Sequence, residues 1–372
     1  MERYEWIATA AFGLEGVVAR ELARLGIDAK AENGGARFFG TFEDAFTANL
    51  HARCADRILL VVGRFEARSF EELFEGVRAL PWENFIGEHT RFPVNGKCAR
   101  SQLMSVRDCQ AITKKAIVER LRSRYHTDWF VEDGETASID VALHGDIAQL
   151  TLDASGTALN RRGYRTWNGE APLRETLAAA LVTLSPWRPG MPLHDPMCGT
   201  GTLMIEAAMR MAHRAPGLTR SFAIESWRDM PTDAFERIRE HAKADFDPSL
   251  VEGISGSDID PEAVELARRH LRQAGLEGRI RFEVADMRDC RRTEERGVFL
   301  CNPPYGERLS DRKACETLYH DMGQMLRRHP GWSLSAITSH PGFGRRADRK
   351  RRFYNGRLEC EFMTFGLPKP KK

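Results

Sequence analysis

Four features that mark particular protein classes are absent from this sequence of 372 residues. Its eight cysteines include no C-x-x-C pair, which argues against a structural zinc and favours a reducing, cytoplasmic setting. No apolar run approaches membrane-spanning length, and residues 1–6 carry no basic-then-apolar signal pattern. A strong global charge is also lacking, because 55 basic and 53 acidic side chains leave a net charge of only +2. We therefore expect no metal and no membrane partner, and nucleic-acid binding only through local basic patches.

The most informative motif follows a short apolar run and consists of Asn302, Pro303, Pro304 and Tyr305. The run predicts a buried strand, and two consecutive prolines must end it. The Asn302 amide and the Pro303 carbonyl are then expected at the carboxyl end of a strand, where open α/β sheets bind ligands. Two such acceptors can hold both hydrogens of a nucleobase amine, while Tyr305 offers a ring for stacking. The alternative is a Pro-rich turn without a chemical role.

A glycine loop lies upstream, between a predicted strand ending at Asp195 and a predicted helix. Gly199 and Gly201 allow the backbone to approach a ligand closely. The loop is not a phosphate-binding P-loop, because no Lys-Ser/Thr pair follows the second glycine. It also departs from the dinucleotide fingerprint, because Met204 stands where that fingerprint has a third small residue. Asp195 beside the glycines instead suits an amino-acid ammonium group, which S-adenosylmethionine carries.

The next two predicted strands end at Asp258 and Ala285. Asp258 is predicted to accept the ribose hydroxyls of the same cofactor, whereas Asp260 is predicted to cap the following helix. Asp286 is predicted to accept the adenine amine, with Met287 covering the ring. Each aspartate alone is more often a cap or turn residue. Their occurrence at successive strand ends, between the glycine loop and the Asn-Pro-Pro-Tyr motif, favours a cofactor site.

These stretches together resemble the motif series of class I S-adenosylmethionine-dependent RNA methyltransferases. The matching stretches are 195–202, 256–260, 285–286 and 302–309. The resemblance is strongest to the group that has an N-terminal THUMP domain and methylates guanine N2 in 23S ribosomal RNA. Residues 159–165 and 171–178 are similar to that group's segment entering the catalytic domain. The resemblance implies S-adenosylmethionine as cofactor, RNA as partner, and a cofactor site made of Pro172, Leu173, Asp195, Pro196, Cys198, Gly199, Thr200, Gly201, Asp258, Ile259, Asp286 and Met287.

The predicted fold is a Rossmann-like α/β methyltransferase domain with an antiparallel C-terminal hairpin, preceded by a ferredoxin-like plus THUMP α+β module. Residues 1–66 read as β-α-β-β-α-β, which is ferredoxin-like. The resemblance implies a THUMP RNA-binding domain at 67–156 and the methyltransferase domain at 157–372. A polar insertion at 212–251 is predicted to be helical from Thr232 to Asp245. Asn355-Gly356 predicts the turn of the terminal hairpin.

Exposed cations are predicted to contact RNA on both modules. A basic face on the THUMP part would include Arg107, Lys114, Lys115 and Arg122, although charged residues at helical spacing are often only a solvated surface. The residues assigned to RNA binding are Lys97, Arg100, Arg161, Arg162, Arg165, Arg345 and Arg346.

Three alternatives remain open at the level of sequence. A transfer RNA guanine-N2 methyltransferase shares the THUMP domain and the Asn-Pro-Pro-Tyr motif. An adenine-N6 methyltransferase shares that motif but needs no RNA-gripping module. A non-catalytic RNA-binding assembly factor would keep the fold without turnover.

Overall fold

The computed structural model describes residues 2–165, 173–305, 309–340, 343, 346–356 and 358–368. The chain divides into two compact units. The first, here the N-terminal unit, comprises Met1–Ala10, Val18–Leu159 and Arg220–Glu240. The second, here the catalytic unit, comprises Ala11–Val17, Asn160–Thr219 and His241–Lys372. None of the described helices is long and apolar enough to span a membrane.

The first seven strands form one sheet in the order β2-β3-β1-β4-β7-β6-β5. All of its neighbours pair antiparallel except β5 and β6. Its elements along the chain are β1 (Tyr4–Thr9), α1 (Glu15–Arg24), β2 (Ala29–Glu32), β3 (Gly35–Gly40), α2 (Phe42–His51), β4 (Arg57–Glu66), α3 (Phe70–Ala79), a 3-10 turn (Trp82–Asn84), β5 (Val94–Ala99), α4 (Val106–Tyr125), β6 (Ile139–His144) and β7 (Ile147–Asp153).

The ferredoxin-like and THUMP strands share this sheet. Strand β4 pairs with β7 from Leu59↔Asp153 to Glu66↔Ile147, so the expected boundary at 66/67 does not separate two sheets. Buried Ser155 reinforces the junction, because its hydroxyl accepts a hydrogen bond from the Ile58 N–H (2.8 Å) and donates one to Asn49 Oδ1 (2.6 Å). The two modules are therefore expected to unfold together.

Part of the predicted insertion belongs to the N-terminal unit. Helix α7 (Thr232–Ala244) forms where the sequence predicts it. Phe235 stacks on Phe46 with ring centroids 4.4 Å apart, and Trp227 stacks on Trp6 at 6.4 Å. These contacts give residues 220–240 a structural role that the sequence does not reveal.

The second sheet has the order β10-β9-β8-β11-β12-β14-β13, in which β14 pairs antiparallel with both β12 and β13 and the other neighbouring strands pair parallel. Its elements are α5 (Glu175–Leu184), β8 (Leu193–Asp195), α6 (Thr202–Met211), β9 (Ile254–Asp258), α8 (Pro261–Gln273), β10 (Arg281–Val284), β11 (Gly297–Cys301), α9 (Leu309–Arg328), β12 (Trp332–Thr338), β13 (Arg349–Asn355) and β14 (Leu358–Phe365), with 3-10 turns at Pro248–Leu250 and Met287–Asp289. A further 3-10 turn at Ala223–Ser226 belongs to the N-terminal unit.

The parallel register brings four strand ends to one edge. Asp195 pairs with Gly256, Val284 with Asp258, and Phe299 with His194. The position of strand β11 is stabilised by packing against β12, because the ring centroids of Phe299 and Trp332 lie 4.4 Å apart within a buried apolar cluster. The residues that follow β8, β9, β10 and β11 are thus held together, as the sequence predicts.

Candidate active site

The glycine loop begins at Asp195, whose side chain is buried at the end of β8. Its Oδ1 accepts a hydrogen bond from the Met197 N–H at 3.0 Å, which starts the turn. Gly201 has φ +81°, and a Cβ there would lie 2.9 Å from the Phe282 ring. Glycine is required at this position by both conformation and space. Its tight packing against β10 and α8 fixes where helix α6 begins.

Burial raises the pKa of the Asp195 carboxyl well above its ordinary value, and the charge of Asp258 raises it further. A cationic ligand beside this carboxyl would oppose both effects and favour the ionised form. The ammonium of the methionine end of S-adenosylmethionine is such a cation. The chemistry of Asp195 therefore fits the predicted cofactor.

Asp258 uses its two carboxylate oxygens to shape the loop from the neighbouring strand. Oδ2 accepts from the Gly199 N–H at 2.7 Å and Oδ1 from the Asp260 N–H at 3.0 Å. Each oxygen keeps a second lone pair that can accept a ribose hydroxyl. Asp260 caps α8 through the Glu262 N–H at 2.9 Å, which confirms its predicted structural role.

Asp286, which follows β10, accepts hydrogen bonds from Arg288. Its Oδ1 accepts from the Arg288 N–H at 2.8 Å, and its Oδ2 accepts from the guanidinium at 3.0 Å. Arg288 also binds Asp321 at 2.8 Å. Met287 is buried beside them and lines the same cavity. Arg288 was not predicted, and its only sequence signal is its position next to Asp286-Met287.

Two cavities surround these strand ends. The larger, of about 650 Å³, is lined by Pro196, Met197, Gly199, Asp258, Ile259, Asp286, Met287, Arg288, Asn302, Pro303, Pro304, Tyr305, Leu318 and Leu358. The smaller, of about 380 Å³, is lined by Leu173, Asp195, Met197, Cys198, Gly199, Thr200, Thr202, Leu203, Asp260, Glu262, Ala263, Leu266 and Asn302. Only Met197, Gly199 and Asn302 line both among the described residues.

Asn302 is held in place by the motif to which it belongs. The Tyr305 hydroxyl donates to Asn302 Oδ1 at 2.6 Å. The Pro304 carbonyl accepts from the Tyr319 hydroxyl at 2.7 Å, and Tyr319 also bonds Thr338 Oγ1 at 2.9 Å. Burial raises the pKa of Tyr319 to about 12, so its hydroxyl stays protonated. Tyr319, in the unpredicted helix α9, is a positioning residue that the sequence does not indicate.

Two of the predicted cofactor residues are not among the described residues that line the cavities. Pro172 lies outside the described residues. Gly201 lines neither cavity and instead packs against Phe282 and Ala267. Leu358, at the start of β14, lines the larger cavity without having been predicted. Among the described residues, no cluster of His, Cys, Asp and Glu has the composition of a metal site.

Two predicted RNA contacts are wrong. The Arg162 side chain is 1% exposed and pairs with Glu206 at 3.4 Å. Arg165 is 8% exposed and pairs with Glu175 at 3.5 Å. Neither guanidinium can reach a phosphate without leaving its buried carboxylate. In the sequence, Arg161, Arg162 and Arg165 look like a basic patch, because the carboxylates that pair with Arg162 and Arg165 lie further along the chain.

Four of the other residues predicted to bind RNA lie on the surface. Lys97, Arg100, Arg161 and Arg346 are exposed. Arg345 lies outside the described residues. Several cations of the expected basic face are already engaged, because Lys114 pairs with Glu132 and Arg122 with Asp128, both at 2.6 Å.

Three protein families match consecutive parts of the chain. Residues 5–59 match the RlmL ferredoxin-like domain, and residues 67–153 match the THUMP domain. Residues 162–363, more than half of the chain, match the RMKL-like methyltransferase domain. The chain belongs to the RMKL-like methyltransferase family.

Two relatives illustrate this family membership. YpsC of Bacillus subtilis, whose name proposes an RNA methyltransferase, is 43% identical over 98% of this chain and 96% of that protein. The ribosomal RNA large subunit methyltransferase K/L of Syntrophotalea carbinolica is 35% identical over 98% of this chain and 53% of that protein. The chain thus spans about half the length of this K/L relative.

Solved structures agree with the RMKL-like assignment. A protein named as a candidate methyltransferase and solved with S-adenosylhomocysteine is 41% identical, with a TM-score of 0.94 over 100% of both chains. A Listeria monocytogenes structure, whose name proposes an N6-adenine-specific DNA methylase, is 42% identical with a TM-score of 0.94 over 99% of this chain and 97% of that one. The fold class, the methyltransferase activity and the use of S-adenosylmethionine are thereby confirmed.

Proposed function

We propose that this enzyme methylates the exocyclic N2 amine of a guanosine in 23S ribosomal RNA. The observation that carries the proposal is the position of Asn302, which lines both cavities at the end of β11. A target amine that accepts a methyl group must meet the donor at such a junction. The name of the K/L relative supports large-subunit ribosomal RNA as the substrate.

The two cavities divide the ligands between them. Asp195 and the glycine loop in the smaller cavity suit the methionine end of the cofactor, while Asp258 and Asp286 suit the ribose and the adenine. When bound, S-adenosylmethionine supplies a methyl group activated by its sulfonium. Asn302 Oδ1 and the Pro303 carbonyl accept hydrogen bonds from the target amine, and Tyr305 supports the flipped base. Positioning contributes most of the catalysis, since no strong base is needed. The amine proton leaves to water after transfer.

The THUMP part supplies phosphate contacts in this proposal. Lys97 at the end of β5, Arg100 in the following turn and Arg107 at the start of α4 are exposed and lie close together along the chain. Contacts of this kind give affinity and register but read no base sequence. The division into 1–66, 67–156 and 157–372 and a cytoplasmic location belong to the same proposal.

Adenine-N6 transfer is the second candidate, favoured by the shared Asn-Pro-Pro-Tyr motif and by the name of the Listeria protein. The THUMP match favours RNA over duplex DNA. Methylation of a guanine in transfer RNA would use the same chemistry at Asn302. This candidate differs only in the RNA that the enzyme binds.

Nucleoside analysis separates these candidates. Purified full-length enzyme is incubated with isotope-labelled S-adenosylmethionine in three separate reactions. One contains unmodified 23S ribosomal RNA, one transfer RNA and one duplex DNA. Digestion and mass spectrometry should find labelled N2-methylguanosine from ribosomal RNA. The Asn302→Ala enzyme is the matched control and should give little label. Labelled N6-methyladenosine, or label confined to transfer RNA or DNA, would overturn the proposal.

A further inference from the structure

Arg165 is a buried cation that lines neither cavity among the described residues yet bonds to walls of one of them. Its Nη2 donates to the Leu173 carbonyl at 3.0 Å and to Thr202 Oγ1. Leu173 and Thr202 both line the smaller cavity. Leu173 precedes α5, and Thr202 is the first residue of α6. One guanidinium therefore joins two separate stretches of the cavity wall.

A layer of buried charge keeps the Arg165 guanidinium in place. Glu175 in the first turn of α5 is its ionic partner, and Arg165 lowers the pKa of that carboxyl against the stronger effect of burial. Next to this pair, Glu206 of α6 accepts from Tyr164 at 3.1 Å and pairs with Arg162. Buried pairs of this kind are costly to form, and breaking one strands a charge. Arg165 faces Glu175 through Nη1 and bonds two residues of the cavity wall through Nη2, so it belongs to the site as well as to the buried charge layer.

The glycine loop receives similar support. His270 of α8 is buried, and its Nδ1 lies 3.2 Å from the Thr200 carbonyl. Burial lowers the pKa of His270, so the ring stays neutral and can donate this bond from Nδ1. The smaller cavity is thus braced at its loop by His270 and at its helix start by Arg165.

We infer that Arg165 is a positioning residue of the cofactor site: it sets the spacing between Leu173 and Thr202 that the methionine end of S-adenosylmethionine requires. The inference rests on the cofactor site proposed above and replaces the role in RNA binding expected from the sequence. An arginine suits the task because its planar fork serves two acceptors and a carboxylate at once, which a lysine ammonium on a flexible stem does not.

The test measures S-adenosylhomocysteine binding by calorimetry in the full-length protein. Arg165→Lys keeps the charge beside Glu175 and removes the fork, so unfolding temperature should change little while affinity falls several-fold. Arg165→Gln should lose about tenfold or more, because charged hydrogen bonds are removed. Arg174→Gln, an exposed neighbour at the start of α5, is the matched control and should bind as the parent does.

Methyl-transfer kinetics and RNA binding complete the test. The KM for S-adenosylmethionine should rise in both Arg165 variants, while the KM for RNA and the salt dependence of RNA binding stay parental. If Arg165→Lys binds the cofactor with parental affinity, whether or not its unfolding temperature falls, then Arg165 has only a structural role. If RNA binding by the Arg165 variants depends less on salt while cofactor affinity stays parental, Arg165 contacts RNA after all and the inference is wrong. Failure of the parent itself to bind the cofactor would instead reject the proposed site.

Discussion

Charged side chains differ in burial between the cofactor site proposed in the catalytic unit and the surface of the N-terminal unit. In the catalytic unit, Arg162, Arg165 and Asp195 are buried beside the proposed site and each faces a specific partner. In the N-terminal unit, pairs such as Arg78–Glu75 lie at the surface with both side chains about half exposed. Exposed pairs contribute ~0–1 kcal/mol to stability. The buried charges beside the proposed site therefore fix the positions of its residues, whereas the exposed pairs contribute little to stability.

We expect catalysis and RNA retention to depend on different residues. Substitutions at the strand ends of the catalytic unit should change turnover or cofactor binding without changing RNA retention. Substitutions of exposed cations in the N-terminal unit should do the reverse. A variant that changes both would contradict this separation of roles.

The largest effect is expected for Asn302→Ala. Loss of one preorganised hydrogen-bond acceptor at a reacting group costs about 10²–10³ in rate in other enzymes. Single-turnover methylation at saturating cofactor measures this loss, and S-adenosylhomocysteine affinity should stay near parental. Asn302→Asp should be milder, because a carboxylate still accepts. Near-parental turnover in folded Asn302→Ala would remove Asn302 from the chemistry, and loss of the fold would make it a structural residue.

Asp258→Ala should act on cofactor binding. A charged acceptor of ribose hydroxyls contributes ~1.5–3 kcal/mol, which is a loss of about ten- to a hundredfold in affinity. The Gly199 N–H also loses its acceptor, so the loop shifts in the same direction. Glu252→Ala, exposed just before β9, is the control and should bind normally. Unchanged affinity in Asp258→Ala would show that the ribose is held elsewhere.

The N-terminal unit is tested by replacing Lys97, Arg100 and Arg107 together with Gln. Each lost phosphate contact lowers the slope of log affinity against log salt by about 0.7–0.9, so the slope should fall by about 2–3. Cofactor affinity should not change.

A charge-matched control separates local contacts from net charge. Arg68, Arg78 and Arg122 each have a surface carboxylate partner, and their replacement with Gln removes the same three charges. This variant should keep the parental slope. Equal slopes in the two triple variants would mean that net charge alone retains RNA. Deleting the N-terminal residues is a poorer test, because residues 220–240 would lose their partners.

Acid should destabilise the catalytic unit through His194. Burial is the main reason that the pKa of His194 falls to about 3, and the ring bonds Ser255 at 2.9 Å. The unfolded chain binds a proton near pH 6.5 and the folded state does not, so this contribution to stability is lost as pH falls from about 6.5 towards 3. The slope is about 1.4 kcal/mol per pH unit for one group.

The check is a comparison of unfolding temperature against pH for the parent and His194→Gln. The parent should lose more stability between pH 6.5 and 5 than the variant does. The difference between the curves of the parent and the variant is the readout. It is needed because burial raises the pKa of the Asp195 and Glu175 carboxyls, and these two groups stabilise the folded state as pH falls. Parallel curves would mean that His194 accepts its proton in the folded state.

Local sequence was enough for the features that local chemistry decides. The end of β11 just before Asn302 follows from the two prolines, and the cap at Asp260 follows from the Asp-Pro pair. The sequence wrongly predicts an exposed Arg165, because its burial depends on Glu175, ten residues further along the chain, which pairs with it in the interior. The shared N-terminal sheet depends on β4 meeting β7, far apart in sequence. Such long-range pairings carry no local signal.

The smallest effect is expected for Tyr305→Phe, which removes the hydroxyl bound to Asn302 Oδ1 and keeps the ring. An amide oxygen has two lone pairs, so Oδ1 can accept from Tyr305 and from a target amine together. The hydroxyl then fixes the amide with its oxygen, not its nitrogen, in the accepting position. A neutral hydrogen bond contributes ~0.5–1.5 kcal/mol, so single-turnover rate should fall about two- to tenfold. Tyr354→Phe, on the C-terminal hairpin, is the control and should match the parent. A faster rate in Tyr305→Phe would show that the hydroxyl competes with the target amine, and an unchanged rate would leave the ring as the only contribution of Tyr305.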